Sequence, residues 1–151
     1  MKWRRLAGLL SILAVGGCGF LIPVPISIHL YPVQGPLAER KPIPAISATV
    51  LGTVYSASLS VTLPDGEVFH GPLRAVAPAD AANDDLAPVW DSVYGPGYYV
   101  AVALRSPAHG RGVLQGSRGS TLFVETNRTQ KDAPVEGVAK DTSGNVFKVA
   151  P

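Results

Sequence analysis

The stretch ASLSVTLPDGEVFHGPL, residues 57–73, contains a complete β-hairpin and decides the fold class. In its first half, leucine and valine alternate with serine and threonine, which is the period-two pattern of a strand with one buried face. The Pro-Asp-Gly run at residues 64–66 supplies a turn, because proline fixes φ and glycine tolerates a positive φ. Residues 67–73 then return as the second strand, so the sequence predicts an antiparallel sheet.

Similar strands and turns are predicted on both sides of this hairpin. Upstream, residues 46–55 favour a strand that is interrupted at Gly52. Residues 77–95 are the one helical candidate, and Pro88 limits it to short or kinked turns. Further strands are predicted at residues 98–104, 112–116, 121–126, 135–140 and 145–149. This spacing predicts a mainly β fold, a small antiparallel sandwich or partly closed barrel with one short helix.

Residues 1–17 read as an export signal. Three positive charges within residues 2–5 precede an apolar run at residues 6–15, which as a helix would span only about 15 Å, half of a bilayer core. Two glycines then precede Cys18, the only cysteine of the chain. Because there is no second cysteine, the exported domain is predicted to fold without a disulfide.

The Gly-Gly-Cys ending of this segment resembles the signal of bacterial lipoproteins. The resemblance implies cleavage before Cys18, a diacylglyceryl group on its sulfur and a third acyl chain on the new amino terminus. Two or more acyl chains hold a protein stably at a membrane. Gly19 stands where an Asp would resemble the signal for retention at the inner membrane, so the periplasmic face of a Gram-negative outer membrane is favoured. The alternative is a plain cleaved signal with an incidental cysteine.

Residues 18–45 are predicted to form a lipidated, proline-rich tether, and residues 46–151 the β domain. Six prolines favour an extended chain in the tether. The apolar residues within 20–31 are unusual for a linker. They lie either among lipid headgroups or against the domain, and packing on the domain is favoured.

The charge balance and the polar residues argue against several functions. Loss of the three signal charges leaves ten basic against eleven acidic side chains, which gives no basic patch for nucleic acid. Asp65, Glu67 and His70 are the nearest approach to catalytic chemistry. On a strand, Glu67 and His70 point to opposite faces, so they do not readily bind one metal or one substrate. No catalytic residue, metal site or cofactor is predicted, since turn chemistry and a surface histidine explain these residues.

Two groups of side chains are candidates for contact with a ligand or partner. Four aromatic residues near the predicted helix-to-strand junction could line a groove for a sugar ring or a peptide, although such residues are more often core. Two arginines, one directly before the glycine-rich residues 112–121 and one within them, could hold a carboxylate or phosphate, although a plain hairpin turn also explains the glycines. The candidates are Trp90, Tyr94, Tyr98, Tyr99, Arg111 and Arg118.

Residues 57–149 resemble small proteobacterial lipoproteins of unknown function. The resemblance lies in the blocks LPDGEVFHG, RGVLQGSRGSTLFVE and GVAKDTSGNVFKV, which are mostly turn and strand patterns. Members often carry a cysteine in the penultimate strand, near the place where this chain has Ala139. The resemblance implies an envelope location and a β fold, and it implies no catalytic residue.

These observations predict a membrane-anchored envelope lipoprotein that acts as a non-enzymatic binding or accessory module in the periplasm. The predicted partners are the membrane, through acyl chains on Cys18, and an envelope protein or glycan. Two alternatives stay open. One is a cell-wall or lipid-processing hydrolase that uses Asp65, Glu67 or His70, and the other is a structural component of an envelope complex.

Overall fold

The protein folds as a single antiparallel β-barrel in the computed structural model, which describes residues 24–52, 57–77, 80, 85–130 and 133–151. The strands are β1 (Val24–Gln34), β2 (Ile46–Gly52), β3 (Ala57–Thr62), β4 (Val68–Ala75), β5 (Gly110–Gly116), β6 (Thr121–Asn127), β7 (Glu136–Asp141) and β8 (Val146–Ala150). Consecutive strands pair along the chain, and β1 pairs with β8 to close the barrel. A helix, α1 (Ala87–Tyr94), and a π-helical turn (Tyr99–Ala103) lie between β4 and β5. The predicted mainly β class with a short helix is confirmed, and the barrel is fully closed.

The interior of the barrel holds the main hydrophobic core. The hairpin predicted at residues 57–73 forms β3 and β4, with Leu59 opposite Gly71 and a φ of +85° at Gly66 in the turn. Alternate residues of each strand point inward and fill the barrel with side chains, as in other small barrels. Fully buried members of this core include Leu30, Leu59, Phe69, Leu114, Leu122, Val124, Phe147 and Val149.

The first strand corrects the predicted tether. β1 pairs with both β2 and β8, and Ile28 and Leu30 are 1% and 0% exposed inside the barrel. The tether predicted at residues 18–45 is therefore wrong where it overlaps β1, because the apolar residues of β1 complete the core. Pro32 lies at a register shift between β1 and β8, a position where a strand tolerates proline. Cys18 lies outside the described residues.

The strand predicted at residues 98–104 is also wrong. These residues form the π-helical turn, in which the Leu104 N–H donates to the Tyr99 carbonyl at 2.8 Å. Tyr99 and Ala103, four residues apart, are buried together against Val138 on the outer face of β7. Because the barrel is already closed, this segment finds no sheet edge to join, and its packing overrides the strand propensity of tyrosine and valine. Within the described ranges, no helix has the length and apolarity to cross a membrane.

Candidate functional site

One end of the barrel opens into a cavity of about 290 Å³, here called the mouth cavity. It lies where β1, β3 and β5 begin and where β2, β4 and β6 end. The apolar part of its wall is formed by Ile26, Val50, Leu73 and Val135. At the opposite strand ends, Leu37 and Leu63 are buried as part of the main core, so that end is filled with side chains.

Two buried polar side chains beside the mouth cavity have unpaired atoms. Asn127 is 1% exposed, and neither its Oδ1 nor its Nδ2 has a hydrogen-bond partner among the described residues. His109 is also buried, its Nδ1 has no partner in the described part of the chain, and its Nε2 lies 3.4 Å from Glu125 Oε2. That distance is too long for a strong hydrogen bond. A buried polar group left unpaired costs about 1–3 kcal/mol. Both side chains lie on the outer side of the barrel wall, since Asn127 is opposite Glu136 and His109 contacts the Tyr99 ring, so their unpaired atoms adjoin the mouth cavity without opening into it.

A buried carboxylate lies beside His109, between the outer wall of the barrel and α1. Glu125 is 0% exposed although its side chain projects from the outer face of β6. Trp90 Nε1 donates to Glu125 Oε2 at 2.8 Å, and Arg111 Nε donates to Glu125 Oε1 at 2.8 Å. The charge and both oxygens of Glu125 are therefore partnered within the protein. Arg111, a predicted anion contact, is used in this ion pair.

The four aromatic candidates fall into two groups. Trp90 and Tyr99 are 0% and 3% exposed and belong to the core beneath the helical segment, so they do not line an open groove. Tyr94 and Tyr98 are half-buried and stack with ring centroids 4.7 Å apart. Tyr98 donates from its hydroxyl to Glu136 Oε2 at 2.6 Å. For Tyr94 and Tyr98, contact with a ligand or partner stays a prediction.

The hydroxyl of Tyr94 ties α1 to the barrel. It accepts a hydrogen bond from the Gly137 N–H at 3.2 Å and lies 3.1 Å from the carbonyl oxygens of both Gly137 and Val149, to which it can donate. Lys148 Nζ lies 5.0 Å from the centre of the Tyr94 ring, within the range of a cation–π contact. The aromatic group therefore positions the helical segment over β7 and β8.

Raising the pH above 10 is expected to weaken the fold through Tyr94. Burial raises the pKa of Tyr94 to about 12, whereas an unperturbed tyrosine ionises near about 10. Because the folded-state pKa is the higher one, this stabilisation is complete below the unfolded pKa and is lost as the pH rises through the folded pKa. Denaturant titrations at a series of alkaline pH values would measure the loss.

Tyr94→Phe is expected to flatten this alkaline decline in the free energy of unfolding. The matched control is Tyr31→Phe, since Tyr31 is 38% exposed on β1. The physical explanation would be wrong if the Tyr94 variant kept the full pH dependence of the parent protein.

The polar residues of the predicted hairpin turn gather around Arg118 at the closed end of the barrel. Arg118 Nη2 lies 2.6 Å from Asp65 Oδ2 and 3.8 Å from Glu67 Oε2. The hydrogen bond from the Glu67 N–H lowers the pKa of Asp65, and Arg118 adds to that effect. Ser120 donates to Glu67 Oε1. Arg118 is thus occupied in joining the two hairpin turns, whereas His70 lies apart on the exposed face of β4.

A second concave surface of about 520 Å³ lies on the outside of the barrel and is here called the outer groove. Its wall includes Arg111, Val113, Phe123 and Lys140, next to Leu86 before α1. Val113 and Phe123 face each other across β5 and β6 and are 47% and 39% exposed. The outer groove therefore presents apolar side chains beside both basic and acidic residues, the latter being Asp85 and Asp141.

Sequence reasoning missed the mouth cavity and the Glu125 cluster. His109 lies between the predicted strands, and Glu125 and Asn127 show no pattern beyond ordinary strand polarity. The sequence feature that could have pointed to the cluster is the pair Glu125 and Asn127, a carboxylate and an amide two residues apart at the end of one strand. In the described part of the chain, no cluster of three or more His, Cys, Asp or Glu side chains could hold a metal ion.

The class that the fold defines is a small closed antiparallel β-barrel with an external helical segment and an apolar cavity at one mouth. Comparison of the chain with protein-family models, curated proteins and solved structures finds no match.

Proposed function

We propose that the protein is a membrane-anchored envelope lipoprotein whose barrel is a non-enzymatic binding module in the periplasm. The observation that carries this proposal is the mouth cavity, which opens at the end of the barrel where β1 begins. Val24 follows Cys18 by six residues, and an extended chain of that length reaches at most about 20 Å. A lipid anchor on Cys18 would therefore keep the cavity close to the membrane surface.

The arrangement of the ionisable side chains supports binding rather than hydrolysis. Arg118 neutralises Asp65 and contacts Glu67, while His70 lies apart on an exposed strand face. A general acid or base must come within hydrogen-bond reach of the group it serves. The hydrolase alternative would need an activity that disappears in Glu67→Gln or His70→Gln while the fold is retained.

The anchor is tested by labelling cells that express the full chain with an alkyne analogue of palmitate. We expect the wild-type protein to carry the label, to sediment with membranes and to begin at residue 18. Cys18→Ser is expected to lose the label and membrane attachment while keeping the far-ultraviolet spectrum of the barrel. A wild-type protein with a free thiol, or one that still begins at Met1, would refute the anchor.

A second candidate function, an accessory subunit of an envelope complex, is supported by the outer groove. Exposed apolar side chains such as Phe123 beside the basic Lys140 are typical of a protein-binding surface. Crosslinking in cells followed by purification would test it. Phe123→Ser should then lose the crosslinked partner, while Val33→Ser, a change at another exposed strand residue, should not.

A further inference from the structure

We propose that the mouth cavity binds a single acyl chain that carries an anionic head group. The apolar wall would hold the chain, and the polar rim would hold the head group. The class of ligand is argued from the cavity itself. The membrane as the source of this ligand rests on the proposed lipoprotein function.

The size and wall of the mouth cavity favour one flexible apolar chain. Its volume of about 290 Å³ lies at the lower limit of the range of about 300–1,000 Å³ that is usual for ligand pockets. Leu73, Val50 and Val135 are partly buried and pack against the main core, so the cavity continues the apolar interior. Transfer of methylene groups from water to such a surface is favourable by about 0.8 kcal/mol for each buried CH₂. Two acyl chains or a rigid ring system would need more room than this.

The rim of the mouth cavity favours negative charge. Among the described residues that line it, Arg74 and Arg128 carry positive charge and none is acidic. Arg74 is exposed, so its guanidinium is accessible from solvent. Guanidinium groups donate paired hydrogen bonds to carboxylates and phosphates, the usual head groups of anionic amphiphiles.

The position of the cavity suggests where such a ligand comes from. The chain enters the barrel at the mouth, and Ile26 near the start of β1 lines the cavity. If Cys18 is acylated, the short chain between Cys18 and the start of β1 keeps the mouth cavity near the bilayer. Fatty acids and lysophospholipids are the single-chain anionic amphiphiles that a bilayer contains.

The test uses the chain from residue 18 onward with Cys18→Ser, so that no acyl group of its own can fill the cavity. The probes are dodecanoate, dodecanoyl lysophosphatidylglycerol and neutral dodecanol, each below its micellar concentration. Isothermal titration calorimetry measures their binding. We expect saturable binding of at least one anionic probe, about tenfold tighter than that of dodecanol, since a hydrogen bond to a charged group contributes on this scale. The better of the two anionic probes identifies the source as free fatty acid or lysolipid.

Matched substitutions locate the site. Val135→Phe, or Leu73→Phe if the first variant fails to fold, fills the cavity and should abolish binding, whereas Val113→Phe in the outer groove should not. Arg74→Gln should bring the affinity for the anionic probe down to that of dodecanol, while Arg40→Gln, at an exposed loop residue, should have no effect. Asn127→Leu should raise the melting temperature, because it removes an unpaired buried amide, and should leave binding unchanged, because the Asn127 side chain lies on the outer side of β6.

Three results would overturn the proposal: no binding of any probe, equal affinity for dodecanol and the anionic probes, or loss of binding in Val113→Phe rather than in the cavity variants. This assay needs no lipidation. Its failure is therefore distinguishable from a failure of palmitate labelling, which would remove the proposed anchor and leave the cavity result intact.

Discussion

Leu30→Ala is expected to lower the free energy of unfolding by about 2–5 kcal/mol. Leu30 is 0% exposed and lies in β1, opposite Ile46 of β2 and Val149 of β8. The substitution removes apolar contacts in the closed barrel and leaves a cavity that three strands surround. Urea denaturation followed by tryptophan fluorescence would measure the change, because Trp90 reports on the packing of the helical segment over the barrel.

Val33→Ala is the matched control for this experiment. It removes two methyl groups from the same strand, but Val33 is 43% exposed. A change at such a surface position is usually within about 0.5 kcal/mol. If the two variants had equal stability, β1 would behave as an external tether and not as the strand that closes the barrel.

Arg111→Met is expected to destabilise the protein by about 3 kcal/mol, because it leaves a buried carboxylate without its charged partner. Glu125 is 0% exposed, and the Arg111 guanidinium is the cation that donates to its Oε1 at 2.8 Å. Methionine keeps the length and apolar stem of the arginine, so the loss of packing is small. Chemical denaturation at neutral pH would measure the effect.

The double variant Arg111→Met with Glu125→Gln tests the electrostatic origin of this loss. The glutamine can still accept the Trp90 Nε1 hydrogen bond, but it carries no charge that needs compensation. We therefore expect the double variant to be more stable than Arg111→Met alone. Arg74→Met, at the residue opposite Arg111 on β4, is the control and should change stability little. Additive effects of the two cluster substitutions would show that the charge pair is not coupled.

The local patterns of the sequence were sufficient for most of the strands. The alternation in residues 57–73 correctly gave β3 and β4, and the turn residues between them adopt the predicted positive φ at Gly66. The strands predicted at residues 135–140 and 145–149 are likewise confirmed as β7 and β8. These elements are predictable because period-two burial and turn chemistry are both properties of neighbouring residues.

The two errors arose where a distant part of the chain decides the conformation. Prolines favoured a tether for the segment that contains β1, but Ile28 and Leu30 are needed to fill the barrel, and Pro32 sits where the register shifts. Tyrosine and valine favoured a strand for residues 98–104, but the closed sheet offers no partner there. Strand propensity expresses what a residue packs against, so it changes with the tertiary setting.

The candidate site depended on tertiary structure still more strongly. Arg118 was a candidate contact for an external carboxylate or phosphate, and it pairs with Asp65 from a turn 53 residues earlier. Asn127 and His109 were unremarkable in the sequence, because only the packing of the helical segment against the barrel buries them without partners among the described residues. Whether a polar side chain is solvated, paired or left unsatisfied is a property of its surroundings in space.

By itself, the sequence determined an antiparallel β protein with tight turns, since alternation and glycine-containing turns act between near neighbours. Only the tertiary structure decided that β1 closes the barrel against β8, that the segment containing Tyr99 packs outside it and that one mouth stays open. The physical reason is that closure joins the two ends of the described chain, more than a hundred residues apart. The burial of side chains where β1 meets β8, and the mouth cavity, both depend on contacts between residues that are far apart in the sequence. No local pattern encodes such contacts.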